Sequence, residues 1–595
     1  MASNTDSTQV QKIRHSLAHL LAATVVEMFP GAKNAVGPAI ENGFYQDFET
    51  PSPITDDDLP KIEAAMRKKL KSWGKFERRE VGKKEALDQF AWNPYKKELI
   101  EDFAREGQSL TLYTSGGFVD LCRGGHVESA QEVNAKAFKL TKVSGAYWRG
   151  DQDRQQLQRI YGVAFETPDQ LNVYLTMLDE AKKRDHRKLG QELELFVFSD
   201  LIGSGLPLFT PRGTVLRRQL DAYVQEMRDE YDYQEVSIPH ITKKEAYIAS
   251  GHWQKFEHEL FKITTREGHE FAMKPMNCPH HTQIYAARSR SYKELPIRYR
   301  ETSTCYRDEQ TGELSGLSRV RAFTQDDAHV FCRTPQIEEE VLKIWDIIER
   351  FYGVFEFELT VRLSTHDPES MESYMGDPAK WESAEAQLRN IVSRKLGDDF
   401  IAGVGEAAFY GPKIDFMAKD AIGREHQVAT IQLDFNQPEG FNLVCINENG
   451  EQERIVMVHA AVMGSIDRFL SVYIEHCAGK FPVWLAPEQI RILTLNQDEA
   501  VVNFAAEMKD KAKKYGLRVS IDAENESVGK KIRNAELMKV PYVVVVGQKE
   551  IESGQLTPRI RKDMEVNADH RPIGVDEFLK TVANEAKSRV SRTSL

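Results

Sequence analysis

RETSTCYRDEQTGELSGLSRVRAFTQDDAHVFC, residues 300–332, reads as strand, loop, strand, with Gly312 and Gly316 in the loop. Arg307 and Glu309 are one residue apart, so on a strand both face the same side. Arg319, Arg321 and Phe323 repeat that alternation beyond the loop. An arginine can grip phosphate bidentately and a carboxylate can accept from an exocyclic amine. An aromatic ring offers a stacking face to a base. The combination describes a nucleotide site that needs no glycine-rich phosphate loop, and the chain contains neither a Walker pattern nor GxGxxG after a strand.

Working outward, residues 191–485 hold further strand-like runs, including FAMKP, FEFELTVRL, KIDFMA and ATIQLDF, separated by helices. They do not alternate regularly with helices, so an α+β unit with an antiparallel sheet is expected. After Pro487 the texture changes: RILTL, LRVSIDA and YVVVVG alternate with helices expected at 498–515, 527–539 and 575–590. That is a small α/β module with a parallel sheet. Toward the N-terminus, residues 8–29 and 57–73 have helical period, and residues 111–165 mix short strands (LTLYT, AFKLTKV) with glycine turns. One charged helical connector spans 171–190.

The bulk numbers exclude several classes. No apolar run in the chain approaches the roughly 20 residues of a membrane span. The opening MASNTDSTQVQK lacks the apolar region of a signal peptide. The six cysteines show no disulfide-framework spacing, so a reduced, cytoplasmic setting is expected. A net charge of −12 argues against bulk non-specific nucleic-acid binding, yet local basic runs remain, such as KKRDHRK at 182–188.

Two sets of metal-type residues stand out. Cys278, His329 and His459 lie in MNCPHH, TQDDAH and VMVHAAVMGSIDRF, each dense in polar residues. One Cys and two His form a three-ligand zinc set with an open fourth position, the pattern of a catalytic site. In the second set, HSLAH puts His15 and His19 four residues apart on one helix face, and LCRGGH adds Cys122 and His126. By residue type these four form a complete zinc tetrad, or alternatively a set of structural core residues.

With those motifs in view, the chain resembles the class II aminoacyl-tRNA synthetases. YRDE, a loop and RAF look like their motif 2; GSIDRF, with Arg468, looks like motif 3; EVSIPHI, with Pro239, looks like motif 1, which forms the dimer interface in that class. Within the class, MNCPHH, TQDDAH, AFYGPKIDF, TIQLDF and VHAAVMGSIDRF are similar in order and spacing to the catalytic segments of the threonyl-tRNA synthetases. The resemblance implies an editing domain over 1–170, a linker over 171–190, a class II catalytic domain over 191–485 and an anticodon-binding domain over 486–595. It implies ligation of L-threonine to tRNA(Thr) with ATP and Mg2+, and one Zn2+ per chain on Cys278, His329 and His459. Arg307, Glu309, Arg319, Phe323 and Arg468 would hold ATP, and Gln325, Asp327, Tyr410 and Gln432 would line the amino-acid pocket. A homodimer is expected, and no membrane partner.

The resemblance also assigns His15, His19, Lys96, Asp120, Cys122 and His126 to an editing site that hydrolyses mischarged Ser-tRNA, and Asn525, Glu550 and Arg559 to anticodon reading. Single-stranded loop bases are read by stacking and by hydrogen bonds to their edges, which suits such side chains. The need for editing follows from magnitudes: serine keeps the hydroxyl and lacks one methyl, a difference of roughly 1–3 kcal/mol, or about 10–200-fold. Two departures mark this chain. Cys278-Pro279-His280-His281 replaces the usual Cys-Pro-Gly-His, which makes His280 an alternative ligand, and Val428 replaces a common cysteine. The ubiquitin-like domain that usually begins the family is expected to be absent. A free-standing editing hydrolase would need only residues 1–165, and a non-catalytic RNA-binding descendant would have lost Arg307, Glu309 or Arg468; all three are present.

Overall fold

The computed structural model describes residues 8–151, 153–564 and 571–595. Residues 1–7, on which the signal-peptide reading partly falls, lie outside the described residues. The chain divides into two compact units, residues 1–180 and 181–595. No described helix is long and apolar enough to cross a membrane.

In the first unit, helix Gln9–Met28 starts from a capping box in which Thr8 and Gln11 exchange hydrogen bonds. Residues 16–25 are buried without interruption. The helix read from its period is thus enclosed along its middle, because it packs against helix Leu59–Leu70 and against an antiparallel sheet. That sheet contains Gly43–Glu49, Gln156–Ala164 and Phe138–Tyr147 in that order. A second sheet, Glu77–Val81, Leu110–Ser115 and Phe118–Leu121, carries Asp120 and leads into Cys122.

The second unit is built on an eight-stranded sheet. Its centre runs Ile297–Tyr306, Ala322–Cys332, Val456–Ala461, Glu425–Asp434, Lys413–Lys419 and Glu358–Thr365, all antiparallel. One face is covered by Pro211–Asp229, Ile337–Val354 and Ile466–His476 around a large apolar core. The hairpin of residues 300–332 forms as read, with one correction: the first strand stops at Tyr306 and the second starts at Ala322. Arg307 and Glu309 therefore lie beyond the strand end, as do Arg319 and Arg321 on the return side. The chain leaves the ladder there because the Asp308 N–H turns to the carbonyl of Glu259 at 2.8 Å.

The connector also differs from the single helix expected. It is two helices, Pro168–Arg184 and His186–Glu192, broken at Asp185, whose carboxylate accepts the Arg187 N–H and caps the second helix. The C-terminal module has the expected parallel strands Val519–Asp522, Ile490–Thr494 and Tyr542–Val546, with an antiparallel edge strand Arg559–Ile560 added.

Within the central sheet, strand alternation sends Asp326 to the helix-covered face and Gln325, Asp327 and His329 to the other. Asp326 is fully buried and is paired with the equally buried Arg228. Its Oδ2 accepts the N–H groups of Val462 and Met463 at 2.9 and 3.0 Å. Removing one partner of such a pair leaves an uncompensated buried charge, so Arg228→Met is expected to destabilise the second unit by about 3–5 kcal/mol. Thermal unfolding followed by circular dichroism checks this, as a transition well below that of the parent protein.

Candidate functional site

The open face of the sheet carries a cavity of about 740 Å3 whose walls include Arg307, Glu309, Arg319, Phe323 and Arg468. The five residues expected to hold a nucleotide thus meet in one space, although three of them (Arg307, Glu309 and Arg319) come from the loop, Phe323 from the second strand and Arg468 from a helix. Arg307 lies between the rings of Phe256 and Phe323, its guanidinium carbon 5.2 Å from each centroid. Its Nε is buried with no hydrogen-bond partner. Arg468 sits in the first turn of helix Ile466–His476, whose N-cap is Ser465. Neither guanidinium is ion-paired among the described residues, and a helix N-terminus adds partial positive charge beside Arg468. An anion in this cavity would therefore satisfy donors that the protein leaves open. Glu309 is buried and accepts from Arg319 Nε at 2.8 Å, so each orients the other.

Deeper on the same face, the strands bring His329, His459 and Gln432 into one rank: His329 pairs with His459 across one ladder, and His459 with Gln432 across the next. Cys278 enters from the first residue of helix Cys278–Ala286. The ligand atoms of Cys278, His329 and His459 lie within 4.8 Å of one another, and all three residues are buried. The ring orientations are set from behind. His281 Nδ1 stands 2.8 Å from His329 Nδ1, and Asp434 Oδ2 stands 2.8 Å from His459 Nε2. The free nitrogens, His329 Nε2 and His459 Nδ1, then face each other at 3.1 Å. Burial, with the facing His459 and His281 rings, holds the His329 imidazole well below its ordinary pKa and hence neutral. Burial likewise raises the Cys278 thiol pKa. Two imidazoles and a thiol are the donor set of a small catalytic metal site, and the outer partners of each His are those that fix a metal-binding tautomer.

Around this group, Asp327 Oδ1 stands 3.9 Å from His329 Nε2, and Tyr410 packs on His459 with ring centroids 5.1 Å apart. Gln432 Nε2 donates to the carbonyl of Gly411 at 3.1 Å. Gln325 bridges to Ser465, which joins this strand to the Arg468 helix. His280 is not in the ligand group: it lines a separate cavity with Ile238 and Pro239, and both its ring nitrogens are buried and unpartnered. Val428 is buried in the main core. Sequence reasoning missed His281, Asp434 and Asp326 as supports. All three stood inside quoted motifs, and Asp326 was passed over beside its neighbour Asp327.

In the first unit, His15, His19, Cys122 and His126 also converge, their ligand atoms within 4.8 Å. Positive φ at Gly124 and Gly125 folds the chain so that His126 returns to Cys122, with Nε2 3.2 Å from Sγ. His15 Nε2 lies 3.5 Å from the same sulfur. Ser16 Oγ holds His126 Nδ1 at 3.3 Å, and Phe76 stacks on that ring at 4.7 Å. Lys96 and Asp120 form a buried ion pair at 2.7 Å, with Asn34 donating to the second Asp120 oxygen. Burial, reinforced by His15, lowers the His126 pKa to about 2, and burial pushes the Cys122 thiol up to about 12.

Asn525 is exposed in the loop after strand Val519–Asp522, and Glu550 lies in the first turn of helix Gln548–Ser553, where it accepts the Gly547 N–H at 3.0 Å. Both are at the carboxyl end of the parallel strands. Arg559 is exposed on the edge strand, opposite Val543 and nearer the other end.

Comparison with known proteins adds independent findings. Residues 261–477 match the model of the tRNA synthetase class II core domain (G, H, P, S and T). Residues 489–585 match the anticodon binding domain, and residues 110–161 the threonyl and alanyl tRNA synthetase second additional domain. A threonine–tRNA ligase of Gloeobacter violaceus is 46% identical over 96% of this chain and 91% of its own length. One of Phocaeicola vulgatus is 45% identical over 97% of this chain and 89% of its own length. A crystal structure titled as the RNA binding domain of threonyl-tRNA synthetase from Cryptosporidium parvum superimposes with a TM-score of 0.64, at 34% identity, covering 69% of this chain and 99% of that one.

A thiol pKa of about 12 leaves almost no Cys122 thiolate at pH 8. Cys122 is therefore expected to react with iodoacetamide at least ten-fold more slowly in the folded protein than after denaturation, because far less of it is thiolate. Mass spectrometry of the Cys122 peptide measures this.

Proposed function

The chain belongs to the threonine–tRNA ligases, and on that premise we propose that it joins L-threonine to tRNA(Thr) through a threonyl-adenylate made with ATP and Mg2+, and hydrolyses mischarged Ser-tRNA(Thr) at a separate site. The observation that carries the catalytic reading is the convergence, on one sheet face, of two unpaired arginines in a nucleotide-sized cavity with the Cys278, His329 and His459 group beside Asp327. In activation the threonine carboxylate attacks the α-phosphorus and the bond to the bridging oxygen breaks, releasing pyrophosphate. Arg307 and Arg468 oppose the charge that builds on the phosphates, as fixed donors in a partly dry site. Glu309 accepts from the adenine amine and Phe323 stacks on the base, while Asp327 accepts from the threonine amino group. Gln325, Tyr410 and Gln432 close the walls of the amino-acid pocket.

Cys278, His329 and His459 fit one Zn2+ per chain, which when bound supplies an open coordination position for the amino and hydroxyl groups of threonine. A site built to bind a hydroxyl rejects valine, its near-isostere, by about 10⁴ or more. Serine passes that test, which is the reason for a second site. There His15, His19, Cys122 and His126 position a water at the ester of Ser-tRNA, with Lys96 and Asp120 fixing the substrate end. Residues 1–170 serve this editing step, 171–190 the connection, 191–485 the ligation, and 486–595 the anticodon, which Asn525, Glu550 and Arg559 read. Residues 235–241, with Pro239, form the two-fold contact of a cytoplasmic homodimer.

ATP–pyrophosphate exchange with each of the twenty amino acids tests the activation reading. Exchange should be strongest with threonine. Cys278→Ala should lose both that exchange and the single zinc found by elemental analysis, while far-ultraviolet circular dichroism is unchanged. Full exchange in zinc-free protein would refute the assignment.

Editing is tested separately. The double substitution of His15 and His19 by Ala should leave threonine charging within a factor of about two, because activation chemistry is confined to the other unit. The same protein should accumulate Ser-tRNA when given serine and ATP, and should deacylate purified Ser-tRNA far more slowly than the parent.

A further inference from the structure

Beside the nucleotide cavity, Asp185, His186 and Glu475 bring ligand-type atoms within 4.8 Å of one another. The group is not a metal site, because both ring nitrogens of His186 are already engaged. Its Nε2 accepts the backbone N–H of Leu317 at 3.0 Å. A peptide N–H can only donate, so Nε2 carries the lone pair and the ring proton sits on Nδ1. That proton points at Glu475 Oε1, 2.6 Å away, and the same oxygen accepts the His186 N–H at 3.0 Å. Glu475 is held in turn by Arg424.

The three connected segments are those that build the nucleotide cavity. Leu317 is the fully buried residue of the loop that carries Glu309 and Arg319. Glu475 lies seven residues after Arg468 on helix Ile466–His476, so both fall on the helix face that lines the cavity. His186 opens helix His186–Glu192 of the connector and is almost fully buried. Gly316 makes the contact possible: a Cβ there would lie 2.1 Å from His186 Nε2, and its φ is +51°.

We propose that His186 is a positioning residue for adenylate formation, which bolts the loop bearing Glu309 and Arg319 to the helix bearing Arg468 through Leu317 N–H and Glu475. The inference rests on the reading of this cavity as the ATP site. It is tested by the KM values for ATP and threonine in pyrophosphate exchange, measured on the full-length protein and three variants. In His186→Asn the side-chain amide can still donate to Glu475 but no longer reaches Leu317. The KM for ATP should rise about ten-fold, the scale of a buried N–H left unpaired, with the threonine KM within about two-fold. His186→Gln, whose amide oxygen can take the place of Nε2, should recover most of that loss. Gly316→Ala breaks the same contact from the loop side without touching His186, and should reproduce the rise if the asparagine variant fails to fold. An unchanged KM for ATP in both His186→Asn and Gly316→Ala, a parallel rise in both KM values, or a glutamine variant as impaired as the asparagine one overturns the proposal. A wild-type protein that exchanges pyrophosphate with no amino acid overturns the ATP reading and this inference with it.

Discussion

One buried carboxylate organises the second unit. Asp326 lies in the middle of strand Ala322–Cys332, on the face covered by helices, and is held by Arg228 and by the N–H groups of Val462 and Met463. A charge in that position is tolerable only with its partners in place, so the strand, helix Pro211–Asp229 and the turn before Ser465 must arrive together. Because side chains alternate along a strand, fixing Asp326 inward fixes Gln325, Asp327 and His329 outward. A one-residue slip would put Asp326 on the open face and bury His329 among the core helices. Asp467 repeats the device next door: it accepts from Arg217 at 2.7 Å and from the Thr324 N–H at 2.7 Å, which ties the Arg468 helix to the same strand.

The open face uses the opposite logic. There the protein leaves two guanidinium charges unpaired and keeps the His329 imidazole neutral. Arg307 has aromatic rings on either side and no carboxylate, while Arg319, on the same loop, is neutralised by Glu309. The difference divides arginines that wait for an anion from one that positions a wall. Among the histidines, His281 and Asp434 occupy the far nitrogens of His329 and His459, so the near nitrogens have nowhere to turn but toward each other and Cys278. His186 shows the same residue type put to a different use, with both nitrogens consumed by internal bonds.

The two Cys/His clusters illustrate why residue type alone does not assign chemistry. Both gather buried imidazoles and a thiol within the same short distance. In the catalytic unit, a carboxylate and a third imidazole stand behind the two His residues. In the first unit His126 is held by a serine hydroxyl and an aromatic ring, and the ion pair that stands nearby, Lys96 with Asp120, brings both signs of charge. The second environment is suited to hold a polar substrate and a water, the first to orient lone pairs on one point.

Much of this was legible in the chain itself. Strand-loop-strand order from 300 to 332, the parallel module after Pro487, and the helix over 9–28 follow from local periodicity and turn chemistry, which short segments express by themselves. The ligand-type residues could be named for the same reason: Cys, His, Arg and acidic residues clustered in recognisable motifs. Contacts between distant segments decided the rest. That Arg307 and Glu309 leave the ladder, that helix Gln9–Met28 is enclosed, and that Asp326 holds the sheet while Asp327 takes the open face all depend on partners in other segments of the chain. Periodicity records which side of an element is buried, but a hydrogen bond between Leu317 and His186 leaves no local trace, because its energy belongs to neither segment until the fold has brought them together.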